Sequence, residues 1–249
     1  MPAERGYLMR DWLALHGLSA AGCLTLLETT GRAERSLRAP AVAADPAEDG
    51  LVDGLPDGPG IWALVAEGLG AQLPALAPEI ARTAQETIAN FTPDRSRHPR
   101  AFTLRLERGA RIYASLPIRG KPLDVVLIAH EFGHALQLHC SGDTAVPPIL
   151  RETCAFLAEN LVARHMQCQG HALAGAVSQC LAVARARDLG ARRQALRTAV
   201  GRPDARYDYD WNYPPARILA RQLSDTADTA LALFRGEATV DGLRRDMHV

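Results

Sequence analysis

The residues with the most chemistry to offer lie within five positions of one another: His130, Glu131 and His134, in the run His130-Glu131-Phe132-Gly133-His134. Histidines four apart on a helix project from one face, so both imidazoles can grip a single metal ion. Glu131 sits one residue round from His130, where it can reach a water at that ion without being a ligand, the position of a general base. Zinc suits such donors, because it accepts neutral imidazole nitrogens and a carboxylate and brings the pKa of its water towards neutrality. Gly133 allows another backbone or a substrate to approach that turn closely. This HExxH pattern is only moderately specific by itself. The preceding run Val125-Val126-Leu127-Ile128-Ala129 adds weight, since it buries the helix, and two buried imidazoles need something to satisfy them.

A catalytic zinc takes a third protein ligand and keeps one position open. The next apolar stretch, from Arg151 to Glu159, carries Glu152 and Glu159 seven residues apart and therefore on one helical face. Glu152 follows a loop of the right size to fold back on the first helix and is expected as the third ligand. Glu159 is expected behind it, accepting a hydrogen bond from a ligand histidine and so fixing its tautomer.

Stepping outwards, helices are predicted over 123–140, 148–168, 170–199 and 215–235, with one or two more over 6–30 and another over 61–90. Phe102-Thr103-Leu104-Arg105-Leu106 alternates with period two, and Ile112-Tyr113-Ala114-Ser115-Leu116 follows after Arg108-Gly109, which predicts a β-hairpin with one buried face. Prolines and glycines crowd residues 39–60, which read as a loop. The expected fold is mostly α with a small β-hairpin or sheet. Residues 1–249 form one domain in this reading, with a helical N-terminal portion over 1–95 and the chemical core over 96–249.

Composition narrows the partners. Hydrophobic residues make up 47% of the 249, enough for a sizeable core. Lys plus Arg (28) balance Asp plus Glu (28), so the basic excess usual in nucleic-acid or membrane-surface binders is missing and neither partner is expected. No stretch has the length and apolarity of a membrane span. Five cysteines, an odd number without a CxxC framework, read as reduced thiols in a cytoplasm. Leu18-Ser19-Ala20-Ala21-Gly22-Cys23 loosely matches a lipoprotein cleavage site, but Glu4, Asp11 and His16 interrupt any apolar run before it. The pairs His165/Cys168 and His139/Cys140 lack further partners at ligand spacing and are not expected to bind metal. Arg185, Arg187, Arg192, Arg193 and Arg197 read as a solvated helix face.

The segment from Leu123 to Leu136 resembles the zinc helix of the thimet oligopeptidase and oligopeptidase F family of zinc metallopeptidases. Glu152 to Glu159 is similar to that family's second motif, a glutamate ligand followed seven residues later by another glutamate. The resemblance covers roughly residues 100–235 and implies a zincin-like helical core with a hairpin edge before the zinc helix. It also implies a tyrosine-rich segment near the C-terminus, matched here by Tyr207-Asp208-Tyr209-Asp210-Trp211-Asn212-Tyr213. In the family such tyrosines hydrogen-bond the substrate carbonyl and the oxyanion, which favours Tyr209 and Tyr213, with Tyr207 third. A preorganised donor of that kind is worth about 3 kcal/mol. Two features differ: the interval from His134 to Glu152 is shorter than is typical, and Gln137 stands where the family often has a histidine.

The expected activity is zinc-dependent hydrolysis of peptide bonds by an endopeptidase or oligopeptidase, with a dedicated precursor peptide as one class of substrate. Tyr113, Ala114 and Ser115, on the hairpin's second strand, are expected to align substrate backbone by strand addition. Two alternatives stay open at this level. One is another HExxH zinc peptidase of aminopeptidase type; the other is a zinc-containing binding or regulatory module without turnover.

Overall fold

A computed structural model describes residues 7–29, 54–106, 111–223 and 227–246. In chain order these form helices α1 (Met9–Leu15), α2 (Ala20–Glu28), α3 (Gly58–Gln72) and α4 (Ala77–Glu86), then strands β1 (Ile88–Asn90), β2 (Phe102–Arg105) and β3 (Ile112–Ser115). Helices α5 (Leu123–Ser141), α6 (Pro148–Cys168), α7 (Ala174–Arg187), α8 (Arg193–Val200), α9 (Tyr213–Leu223), α10 (Ala227–Phe234) and α11 (Val240–Asp246) follow. The fold is thus mostly helical with a small three-stranded mixed sheet. Among the described residues no single helix is long and apolar enough to cross a membrane.

Burial explains which helix lies at the centre. Almost every residue of α6 from Ile149 to Met166 is buried, whichever way it faces, so the helix must be covered on all sides. Its main neighbours are α5 and α9, with α3 crossing both α5 and α6. On α5 the apolar run singled out from sequence is buried at Val125, Val126, Ile128 and Ala129, burial continues at Phe132, Ala135 and Leu136, and Phe132 packs its ring on Trp62 of α3, 4.6 Å between centroids. One continuous apolar cluster runs from Met9 to Leu243.

The expected hairpin is present. β2 and β3 pair antiparallel from Phe102↔Ser115 to Arg105↔Ile112. A third strand, β1, joins parallel to the other side of β3. This corrects the reading of 61–90 as wholly helical: the helical pattern ends at Glu86, after which Ile88, Ala89 and Asn90 pair with Tyr113, Ala114 and Ser115. The sheet is tied to α5 by Arg105, whose guanidinium donates to the carbonyls of Leu138 and Gly142 at the helix C-terminus, where a cation meets the negative end of the helix dipole.

Other boundaries move for local reasons. Most of the predicted loop at 39–60 lies outside the described residues, but its end is helix: α3 starts at Gly58, because Asp57 caps it by accepting the Gly60 N–H at 2.9 Å and Pro59 fits the first turn. The helix predicted over 170–199 is divided. α7 runs into a π-helical turn, Asp188–Arg192, before α8 continues, and Asp188 within it is buried and charged. The 215–235 helix begins earlier, at Tyr213, with Pro214 and Pro215 tolerated in its first turn, and α10 forms its second half. Helix 148–168 is as predicted.

The N-terminal segment pins the stretch that leads into α9. Leu8 bridges Arg206, and the amides of Met9 and Tyr207 donate to the carbonyls of Ala205 and Tyr7. Beneath it Trp12 donates its indole N–H to Asn212 Oδ1 at 2.8 Å. His16, 5.2 Å from the Trp12 ring, is buried with neither ring nitrogen hydrogen-bonded among the described residues. Burial lowers its pKa from 6.5 to about 4, only partly offset by nearby Asn212. Because the folded state then binds fewer protons than the unfolded chain, this contribution is complete above about pH 6.5 and is lost as the pH falls towards 4. Denaturant unfolding of the wild type and His16→Leu between pH 7 and pH 4.5 is expected to show up to about 3 kcal/mol less acid sensitivity in the variant.

Candidate metal centre

His130 and His134 stand on the face of α5 turned towards α6, and Glu152 rises from the first turns of α6 to meet them. Donor atoms of these three residues all lie within 4.8 Å of one another. The separations that decide the matter are 3.5 Å from His130 Nε2 to Glu152 Oε2 and 3.7 Å from His134 Nε2 to Glu152 Oε1. Tetrahedral bonds of about 2.0–2.1 Å would set neighbouring donors about 3.3 Å apart. Two pairs are thus close to that spacing, and the set as a whole, spread over up to 4.8 Å, closes further on an ion of zinc's size. Glu152 Oε2 is also buried without a hydrogen-bond partner among the described residues, a carboxylate oxygen that a cation would satisfy. No other group of three or more such donors converges among the described residues. His139 faces Thr87 and His165 packs against Gly68, apart from any such cluster.

The approach of α6 to α5 depends on Gly133. A Cβ built there would meet Ala155 Cα at 2.8 Å, Ala158 Cβ at 2.9 Å and the Cys154 carbonyl at 3.0 Å. The residue just before His134 in the HExxH turn is thus the point where the two backbones touch. That contact sets how far Glu152 stands from the histidines.

Behind the cluster runs a chain of alternating charges. Glu159 Oε1 accepts from His130 Nδ1 at 2.7 Å, which leaves Nε2 as the donor atom facing Glu152. The other oxygen of Glu159 pairs with Arg217 of α9, whose guanidinium also lies 3.5 Å from the Phe156 ring centroid. Arg217 Nε binds Asp188 at 2.9 Å, Asp188 binds Arg192 at 2.6 Å, and Arg192 reaches Asp210 at 2.9 Å. Burial of Glu159, Arg217 and Asp188 would be prohibitive singly; paired in series, each charge is compensated. The π-helical turn accommodates this by holding Asp188 and Arg192 together between α9 and the tyrosine segment.

The electrostatics follow from these contacts. Without a metal, burial disfavours charge on His130, but the Glu152 carboxylate 3.5 Å away and the hydrogen bond to Glu159 prevail and raise its pKa to about 10. Burial lowers His134 to about 4, so that imidazole is neutral at pH 7. Glu152 is held at about 2: burial opposes ionisation, and His134, His130 and the Tyr209 hydroxyl outweigh it. A proton thus sits on His130 between two carboxylates, in the place a cation would take. Glu131 behaves differently. Burial raises it to about 7, against the pull of His130 and of Thr103, whose hydroxyl lies 2.8 Å from Glu131 Oε2. A carboxylate poised near neutrality can both take and return a proton.

The tyrosines divide. Tyr209 donates its hydroxyl to Glu152 Oε1 at 2.7 Å. Tyr213 stacks edge-on against Tyr209 and contacts Phe156, with the Arg192 guanidinium 4.6 Å from its ring, and its hydroxyl has no hydrogen bond among the described residues. Tyr207 is engaged with Asn212, which donates to its hydroxyl at 2.8 Å, and packs against Tyr7 and Trp211.

Strand addition at Tyr113, Ala114 and Ser115 does not fit the sheet. β3 is its central strand, paired by β1 on one side and β2 on the other, so no edge is free there. The open edge beside Glu131 belongs to β2. Leu106 donates to the Arg111 carbonyl, so the alternation of antiparallel pairs turns the N–H and C=O of Thr103 and Arg105 away from β3.

Asp188, Arg192 and Arg217 escaped the sequence reading. Arg192 belongs to the arginine stretch expected to be solvated, yet it is committed to two carboxylates, and Arg185 donates to Asn160. The available signal was an arginine inside the apolar run of α9 and a lone aspartate between α7 and α8, both residue types rarely buried unless paired. No family model, curated protein or solved structure matches the chain.

Two substitutions test this geometry. Gly133→Ala is expected to lower stability by about 1–3 kcal/mol, because the added methyl meets backbone, and to weaken metal retention as the helices part. Glu159→Gln, measured by chelator competition for added zinc, is expected to lower affinity about 10–100-fold, since a neutral amide oxygen accepts the His130 N–H more weakly than a carboxylate and no longer raises the basicity of the ring.

Proposed function

We propose that the chain is a zinc-dependent peptidase built on a zincin-like helical core. One observation carries the reading: two imidazoles and a buried, half-unsatisfied carboxylate converge at ligand separations, with Glu131 held beside them by Thr103. His130, His134 and Glu152 would hold the ion, which supplies Lewis acidity towards a carbonyl oxygen and acidifies water.

The remaining chemistry falls to side chains. Glu131 takes the proton of the attacking water and later delivers it to the leaving amine, a double role suited to a carboxylate whose pKa is raised to about 7. A purely structural site has no use for a buried acid of that kind, which favours turnover over a silent binding module. Tyr209, already bonded to Glu152, positions that ligand. Tyr213, with an uncommitted hydroxyl among the described residues and Arg192 near its ring, is the better donor to the developing oxyanion. The outward-facing backbone of Thr103 and Arg105 on β2 is suited to align an extended peptide beside Glu131. This likeness to the thimet oligopeptidase and oligopeptidase F family rests on the two glutamate-bearing motifs and on the helix that each occupies.

Zinc-loaded protein incubated with a mixture of unstructured peptides is expected to cleave internal bonds. Glu131→Gln is expected to keep the zinc and lose about 10²–10⁴-fold in rate. Tyr213→Phe is expected to lower kcat about 10²-fold at unchanged zinc content. Wild-type protein that holds stoichiometric zinc yet leaves every peptide intact would refute the reading.

A further inference from the structure

Beginning at Asn160, next to Glu159 in sequence, α6, α7 and α9 line an open cleft of about 300 Å³. Its walls carry three guanidinium groups, Arg164, Arg185 and Arg221, and three neutral polar side chains, Asn160, Gln167 and Ser178. Ala163 and Leu181 complete the lining, which includes no acidic residue. The polar groups come from three helices at face-sharing intervals, 160, 164 and 167 on α6 and 178 and 185 on α7, so they converge through packing and not through local sequence.

The charge balance here is unlike that of the neighbouring network. Glu159, Asp188 and Asp210 offset Arg217 and Arg192. Arg164 is already engaged, donating to Gln72 at 2.8 Å; Arg185 instead finds the neutral Asn160 oxygen at 2.6 Å, and the exposed Arg221 makes no ion pair among the described residues. Arg185 is half-buried, and both burial and the like charges of Arg217 and Arg221 disfavour its cationic form; the acid that helps it, Glu159, is already shared between His130 and Arg217. A guanidinium kept in a concave site among other cations is what oxyanion recognition requires, because planar N–H forks match carboxylate and phosphate oxygens.

We propose that this cleft binds a small oxyanion, a phosphate or a carboxylate, held chiefly by Arg185 and Arg221, with the amide groups of Asn160 and Gln167 as neutral partners and Ser178, whose hydroxyl donates to the Ala174 carbonyl, in the wall. The ligand sits apart from the metal centre, and the proposal stands whether or not the protein cleaves peptides. Because Arg185 and Arg217 repel each other, an anion here relieves the charge crowding next to the Glu159–Arg217 pair.

Thermal unfolding can be followed in the full chain at fixed ionic strength, replacing chloride by inorganic phosphate in one arm and by succinate in the other. Saturable stabilisation by at least one of them is expected, and the arm that responds identifies the anion class. Arg185→Gln/Arg221→Gln is expected to weaken that binding about tenfold or more. Ser178→Asp, which brings a carboxylate to the cleft, should abolish it while leaving the three arginines in place. Two results would overturn the proposal: no saturable response to either anion, or an equal response in wild type and in whichever of these variants folds. The latter would place the anion elsewhere, the metal centre included.

Discussion

The close contact of α5 and α6 at Gly133 is the constraint on which the rest depends. With hydrogen in place of a methyl, the backbone of Ala155 and the Cys154 carbonyl come against the turn that carries both histidines. Glu152, two residues before that contact region, then arrives within 3.5–3.7 Å of the imidazoles, and Glu159, two turns on, arrives at the back of His130. A helix pair held farther apart by even one methyl group would separate the carboxylate from the histidines. Packing density and metal geometry are therefore the same requirement here.

Once α6 is fixed, electrostatics propagates outwards from it. A buried carboxylate behind His130 demands a buried cation, Arg217 answers it, and Arg217 in turn needs Asp188. Arg192 completes the series and reaches Asp210 and the Tyr213 ring. The same set of pairs thus connects the orienting partner of His130 with the segment bearing Tyr209 and Tyr213. That segment is held from its other side by the bridge from Leu8 to Arg206 and by Asn212, which takes the Trp12 indole N–H. Its placement beside Glu152 is a consequence of contacts far away in sequence.

The parts legible in the sequence were those whose signal is local. His130, His134, Glu152 and Glu159 follow from helical spacing, and helix 148–168 follows from its apolar periodicity. The strands at 102–106 and 112–116 follow from period-two alternation. What was not legible depends on pairing across the fold. Ile88 to Asn90 carry no strand pattern of their own and become β1 only because β3 offers an edge, and this removes the strand-addition role expected of Tyr113 to Ser115. Arg192 looked like one more charge on a solvated face, since nothing in a run of arginines says which one will meet Asp188 and Asp210. The tyrosines show the same limit: their clustering was visible, but the binding of Tyr209 to Glu152 and of Tyr207 to Asn212 was not.

The metal centre is the claim from which the proposed chemistry descends, and the zinc K-edge X-ray absorption spectrum of the purified, zinc-loaded protein tests it most directly. It is expected to show four light-atom scatterers at about 2.0–2.1 Å with the multiple-scattering signature of two imidazoles, lost when His130 and His134 are replaced by alanine. Sulfur scattering at about 2.3 Å, or a spectrum unchanged by removal of both histidines, would contradict a site made of His130, His134 and Glu152.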